Sequence, residues 1–157
     1  MTPRRLAAAS LAALALLAAG CGDDGGSTSP GPLGADDWRD RVEQYCSDAY
    51  QEATALPLPG HVSQVAEDAS ARAEILATVR DGVLTLGQPD GIDSGDVSAY
   101  VDALNADIEQ LGQIADAADD GTLNPEAAQL DEAAGQAAGA IGLDNCAALS
   151  QAIARTP

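Results

Sequence analysis

The stretch SGDVSAYVDALNADIEQLGQIADAADD, residues 94–120, decides the fold class of this chain. Its apolar residues recur at alternating spacings of four and three, at Val97, Val101, Leu104, Ile108, Leu111, Ala115 and Ala118. An α-helix turns once every 3.6 residues, so this alternation places the apolar side chains in one narrow seam. The pattern predicts a long helix packed in a left-handed bundle, with Ser94 as its N-cap and Asp119, Asp120 and Gly121 at its end.

Two helices are predicted before this seam. The first covers residues 37–55 and is ended by prolines and a glycine at 57–60. Its expected core stripe is Trp38, Val42, Tyr45, Cys46, Ala49, Ala53 and Leu56. The second covers residues 62–86, before Gly87 and Pro89. Its expected stripe is Val62, Val65, Ala69, Ala73, Leu76, Val79 and Val83.

Two more helices are predicted after the seam. The fourth is expected to start at Asn124, a good cap, followed by Pro125 at the first helical position. Its stripe is Leu130, Ala134, Ala137 and Ile141, while Gly135 and Gly139 each weaken it by about 1 kcal/mol unless they permit close helix contact. A terminal helix over residues 145–154 is expected to be capped by Asp144.

Strand-like alternation is absent from the sequence, so these patterns predict an all-α fold. We expect an up-down bundle of four main helices plus a short C-terminal helix. The bundle domain is expected to cover residues 36–157.

The N-terminus has the layout of a signal peptide. Arg4 and Arg5 precede an uncharged, mostly apolar run of 14 residues, Leu6–Ala19, which ends at Gly20 and Cys21. A membrane span needs about 20 such residues, so we expect this segment to be removed after export. An ordinary secretory signal is the alternative, and the export route, general or twin-arginine, stays open.

The five residues LAAGC, 17–21, resemble the lipobox of bacterial lipoproteins. The resemblance implies cleavage after Gly20 and a diacylglyceryl thioether on Cys21, whose thiolate accepts the lipid. Residues 21–35, rich in glycine, would then be a flexible tether spanning about 20 Å between the membrane and the domain. The layout resembles that of many small lipoproteins from high-GC bacteria, which implies no particular activity.

The cysteine count is consistent with this anchor. Lipid on Cys21 leaves Cys46 and Cys146 as the possible pair among three cysteines. A disulfide is the default in an oxidising compartment, and it would latch the first helix to the last. Two buried free thiols are the alternative.

Charge limits the possible partners. Without its signal peptide the chain has five arginines against 25 acids, a formal charge near −20. Such a surface is a poor partner for nucleic acid or anionic lipid. Most of the acids are expected to lie on a solvated face.

The sequence contains no convincing set of catalytic residues. His61, the only histidine, is expected to be solvated or capping at a helix entrance. Asp116 and Asp120 match two positions of a calcium loop, but Ala118 and Ala127 occupy other ligand positions, so they are weak metal candidates. No catalytic residue and no cofactor is predicted.

These observations favour a lipid-anchored, non-enzymatic module on the extracytoplasmic face of a bacterial membrane. Its partner would be an envelope protein or a small ligand, and the feature expected of such a module is an apolar pocket or patch between helices. One alternative is an acidic module that binds divalent cations. Another is a carboxylate-dependent hydrolase, which needs two acids in contrasting surroundings within one cleft.

Overall fold

The computed structural model describes residues 31–124 and 128–154. The predicted signal peptide, Gly20, Cys21, most of the predicted tether and Pro125 lie outside these ranges. The described part is all-helical and contains no β-strand, which confirms the predicted fold class. Its helices are α1 (Ala35–Ala55), α2 (Val62–Leu86), α3 (Ser94–Asp119), α4 (Ala133–Ala140) and α5 (Asp144–Ala154).

The core lies mainly between α2 and α3, with α1 packed against α2 and α5. α4 packs on α5 and α3. None of the helices in the described ranges has the length and hydrophobicity needed to cross a bilayer.

The buried seam of α3 differs from the predicted one. Tyr100, Asp107 and Ile114 are buried, whereas Val101 and Ile108 are only half-buried. The true seam also alternates three and four, through Val97, Tyr100, Leu104, Asp107, Leu111, Ile114 and Ala118. Two seams with the same spacing therefore overlap on this helix. The seam that faces the core was missed because it contains two polar residues, Tyr100 and Asp107. The helix is capped by Asp93, whose side chain accepts a hydrogen bond from the Gly95 N–H at 2.7 Å, so the prediction of Ser94 as the cap is wrong.

The first two helices are close to their predicted bounds, and α2 matches them at both ends. Trp38 is fully buried, and its indole Nε1 donates to the Gly87 carbonyl at 3.0 Å. The core placement of Tyr45 is wrong, since 37% of it is exposed. Its ring lies against Gly82 on α2, where a β-carbon would be only 2.8 Å from a ring carbon. The ring therefore packs between α1 and α2 while part of it stays exposed to solvent. Val62 is also exposed, because it is the first residue of α2.

The predicted start of the fourth helix is wrong. α4 begins at Ala133 and is only eight residues long. Contacts with backbone groups explain the late start: the Gln110 Nε2 donates to the Gln129 carbonyl at 2.7 Å, and the Asp131 carboxylate accepts from the Ala133 N–H at 2.8 Å. Tertiary packing here overrides the local helix signals. Leu130 and Ile141 are buried as expected but lie outside the helix.

Two connections hold α5 in position. The predicted disulfide between Cys46 and Cys146 is confirmed and joins α5 to α1. At the other end of α5, the Arg72 Nη1 donates to the carbonyls of Ala152 and Ile153, at 3.0 and 3.2 Å. A guanidinium at these last carbonyls also complements the negative end of the helix dipole.

Candidate functional site

A groove of about 440 Å³ runs between α4 and α5. The residues from α5 recur at spacings of three and four, so they share one face of that helix. The α4 wall, with the residues just before it, is Asp131, Glu132, Gly135 and Gln136, and the α5 wall is Ala147, Ser150, Gln151 and Ala154. This volume falls within the range of small-molecule sites.

Gly135 sets how closely the two walls approach. A β-carbon at this position would lie 3.3 Å from the Ser150 β-carbon and 3.7 Å from the Ala147 carbonyl oxygen. The sequence left open whether the two glycines permit close helix contact, and Gly135 does so. A β-carbon at Gly139 would have no neighbour within 4 Å, so that glycine has no such role.

The groove offers hydrogen-bonding groups above a floor of small residues. The Ser150 hydroxyl donates to the Cys146 carbonyl at 3.2 Å, which leaves its oxygen able to accept. The exposed amides of Gln136 and Gln151 supply both donors and acceptors. Asp131 and Glu132 are exposed carboxylates and make the groove negative. The arrangement suits a polar ligand that is neutral or positively charged.

The lining of the groove contains neither a serine paired with a base nor two acids in contrasting surroundings. Ser150 has no histidine or lysine beside it among the lining residues, so it lacks a base that would activate it. Asp131 and Glu132 are both exposed, whereas two-acid catalysis needs contrasting surroundings. The buried acids Asp68 and Asp107 are not part of the groove lining.

The residues singled out in the sequence do not meet at this groove. His61 is exposed, directly precedes α2, and makes no capping hydrogen bond with its side chain. Asp116 and Asp120 are exposed at the end of α3, where the Asp120 N–H donates to the Asp116 carbonyl at 3.0 Å. In the described ranges, no three His, Cys, Asp or Glu side chains lie close enough to hold a metal ion.

Two polar side chains of the core, Asp107 and Tyr100, have raised pKa values. Burial raises the pKa of Asp107 to about 6, and the nearby charge of Asp131 adds to this. Burial, together with the charges of Glu43 and Asp107, raises the pKa of the Tyr100 hydroxyl far above its usual range. Both groups are therefore more easily kept neutral than in water.

We expect Asp107→Asn to stabilise the protein at pH 7 by roughly 2 to 3 kcal/mol, at about 1.4 kcal/mol per pKa unit. Because its folded-state pKa is raised, the native state binds more protons than the unfolded state between about pH 4 and pH 6. The free energy of unfolding therefore falls as the pH rises from about 4 through about 6, because the buried carboxyl group of Asp107 becomes ionised. Urea unfolding at pH 4 and pH 7 measures the effect.

The matched control is Asp102→Asn, which removes the same charge from an exposed position on α3. Its effect on stability should be small at both pH values. A gain for Asp107→Asn that is equal at pH 4 and pH 7 would contradict the raised pKa.

The sequence predicted neither the position of this groove nor its polar walls. Its α5 residues lie on the helix face beside the core stripe of Cys146, Leu149 and Ile153. Small or polar residues on such a face are usual at a solvated surface, so they gave no signal of a groove. The one available signal was the pair of glycines in the fourth helix. No protein-family model, curated protein or solved structure matches this chain.

Proposed function

We propose that this protein is a lipid-anchored, non-enzymatic binding module on the extracytoplasmic face of a bacterial membrane. The signal-peptide layout of residues 1–20 and the lipobox-like LAAGC at 17–21 support the anchor. The observation that carries the binding function is the groove between α4 and α5, which combines a ligand-sized volume with hydrogen-bonding walls and has no activated nucleophile in its lining.

The ligand that best suits this groove is a small polar molecule without negative charge. Asp131 and Glu132 would repel an anion, while Gln136, Gln151 and Ser150 can exchange hydrogen bonds with hydroxyl, amide or amine groups. A domain with a net charge near −20 favours the same choice.

We further propose an up-down arrangement for the bundle. The hydrogen bond from Trp38, near the start of α1, to Gly87, just past the end of α2, supports antiparallel packing of these two helices. The connection of only six residues between α1 and α2 is consistent with this arrangement.

The anchor is tested by the intact mass of the protein extracted from its own membrane. We expect a chain that begins at Cys21 and carries acyl groups, and a Cys21→Ser variant without that added mass. Two or more acyl chains suffice for stable attachment. A mature N-terminus at any other residue would refute the anchor.

The binding role is tested by nuclear magnetic resonance with small amides, alcohols and amines as probes. We expect at least one neutral or cationic probe to give saturable shifts at the side-chain amides of Gln136 and Gln151. Gln151→Trp, which covers the groove, should abolish the shift of the remaining amide at Gln136, whereas Gln51→Trp on the exposed face of α1 should not. Shifts that survive in Gln151→Trp, or a complete lack of saturable shifts, would argue against the groove as a binding site.

A further inference from the structure

A second cavity, of about 250 Å³, lies between the α1–α2 connection and the first half of α2. Residues 56–59 of the connection form one side, and Gln64, Glu67, Asp68 and Ala71 form the other. It shares no lining residue with the groove between α4 and α5. Its walls are partly apolar, and Leu58 at its edge is 76% exposed.

Asp68 is the unusual member of this cavity wall. Only 5% of its side chain is exposed. Its Oδ2 accepts from the Arg72 Nε at 2.7 Å, while its Oδ1 is buried without a hydrogen-bond partner among the described residues. An unsatisfied buried acceptor lowers the free energy of unfolding, and it does so more strongly when it is charged. A donor that reached this oxygen would recover that free energy.

Several protein groups around the cavity cannot supply such a donor. Pro57 and Pro59 have no backbone N–H. The Gly60 N–H is already used, because it donates to the Gln64 Oε1 at 2.7 Å. The Arg72 Nη1 is directed to the α5 carbonyls.

The surroundings favour a positively charged donor. Glu67 adds a second carboxylate to the same cavity. An ammonium group carries three N–H donors and one positive charge, so it can satisfy Asp68 and interact with Glu67 at the same time. The proline and leucine side chains of the connection would cover an apolar stem. The volume suits a stem of a few carbons rather than a large molecule.

We propose that this cavity binds a primary ammonium group on a short apolar stem, with Asp68 Oδ1 as its buried acceptor and Glu67 as a second carboxylate. The ammonium group belongs either to a free alkylamine or to a lysine side chain of another protein. This site goes beyond the proposed function, because it lies in a separate cavity with its own ligand chemistry.

The test is a titration of the chain from residue 21 onwards, followed by resonance shifts of the backbone amides. The probes are n-butylammonium, the neutral n-butanol and the peptide acetyl-Gly-Lys-Gly-amide. We expect n-butylammonium to give saturable shifts at Gly60, Glu67 and Ala71, with at least tenfold weaker binding of n-butanol. Binding of the lysine peptide as well would indicate a protein partner, and binding of n-butylammonium alone would indicate a free amine.

Variants separate this site from general attraction to an acidic surface. Asp68→Asn should weaken n-butylammonium binding at least tenfold. Glu67→Gln should weaken it severalfold while leaving the Asp68–Arg72 pair intact, so it remains informative if Asp68→Asn fails to fold. Glu74→Gln removes the same charge from an exposed position on α2 and should have no effect. Equal binding of n-butanol and n-butylammonium, or equal effects of Glu67→Gln and Glu74→Gln, would overturn the proposal.

Discussion

Replacing both Cys46 and Cys146 with alanine is expected to lower the free energy of unfolding by about 4 to 5 kcal/mol. The bond joins residues 100 apart in sequence, and closing a loop of that length removes about 4.7 kcal/mol of chain entropy from the unfolded state. A domain of this size has a total stability of about 5 to 15 kcal/mol, so the variant is expected to lie near the folding threshold. Urea unfolding monitored by circular dichroism measures the loss.

The reducing agent provides the control for this prediction. Reductant added during unfolding should lower the stability of the natural chain to near that of the double variant, and it should not change the variant. If the double variant is within about 1 kcal/mol of the natural chain in its free energy of unfolding, the unfolded chain without the disulfide already keeps residues 46 and 146 close together.

Arg72→Met is expected to lower stability by about 3 to 5 kcal/mol, because it leaves the buried carboxylate of Asp68 without its cationic partner. It also removes the hydrogen bonds to the last carbonyls of α5. The double variant Asp68→Leu with Arg72→Met should recover most of the loss, since an apolar pair of similar volume often replaces a buried ion pair at little cost. Thermal unfolding of the three chains gives the comparison.

Arg80→Met is the matched control for Arg72. Arg80 also pairs with an aspartate, Asp81, but the side chain of that partner is 65% exposed. Exposed ion pairs contribute about 1 kcal/mol or less, so this variant should be nearly as stable as the natural chain. Equal losses for Arg72→Met and Arg80→Met would show that burial of the first pair has no energetic consequence.

Periodicity predicted the long helices well and their buried faces less well. The bounds of α2 agree with the prediction at both ends, because apolar spacing and a glycine stop coincide there. On α3, two seams of equal spacing overlap, and counting apolar residues selected the one that is only half-buried at Val101 and Ile108. Tyr100 and Asp107 lie in the core although their side chains are polar. Sequence pattern alone could not assign them, because their burial depends on the neighbouring helices.

The candidate site was less predictable than the fold. The groove depends on where α4 begins, and contacts of Gln110 and Asp131 with distant or local backbone groups set that start. Cap signals at Asn124 and Pro125 indicated a longer helix because they describe only local preferences. The unpaired oxygen of Asp68 is likewise a product of three-dimensional packing, which the sequence does not display.

The disulfide and the Arg72 hydrogen bonds hold α5, one wall of the groove, at two points. A covalent bond holds this 11-residue helix at Cys146, and a guanidinium holds its last carbonyls. The facing wall is an eight-residue helix whose buried side chains are two alanines, Ala134 and Ala138. One side of the groove is therefore preorganised, so binding would cost little conformational entropy there. Adaptation to ligands of different shape would then depend on α4, and the shorter helix would determine which ligands the proposed site accepts.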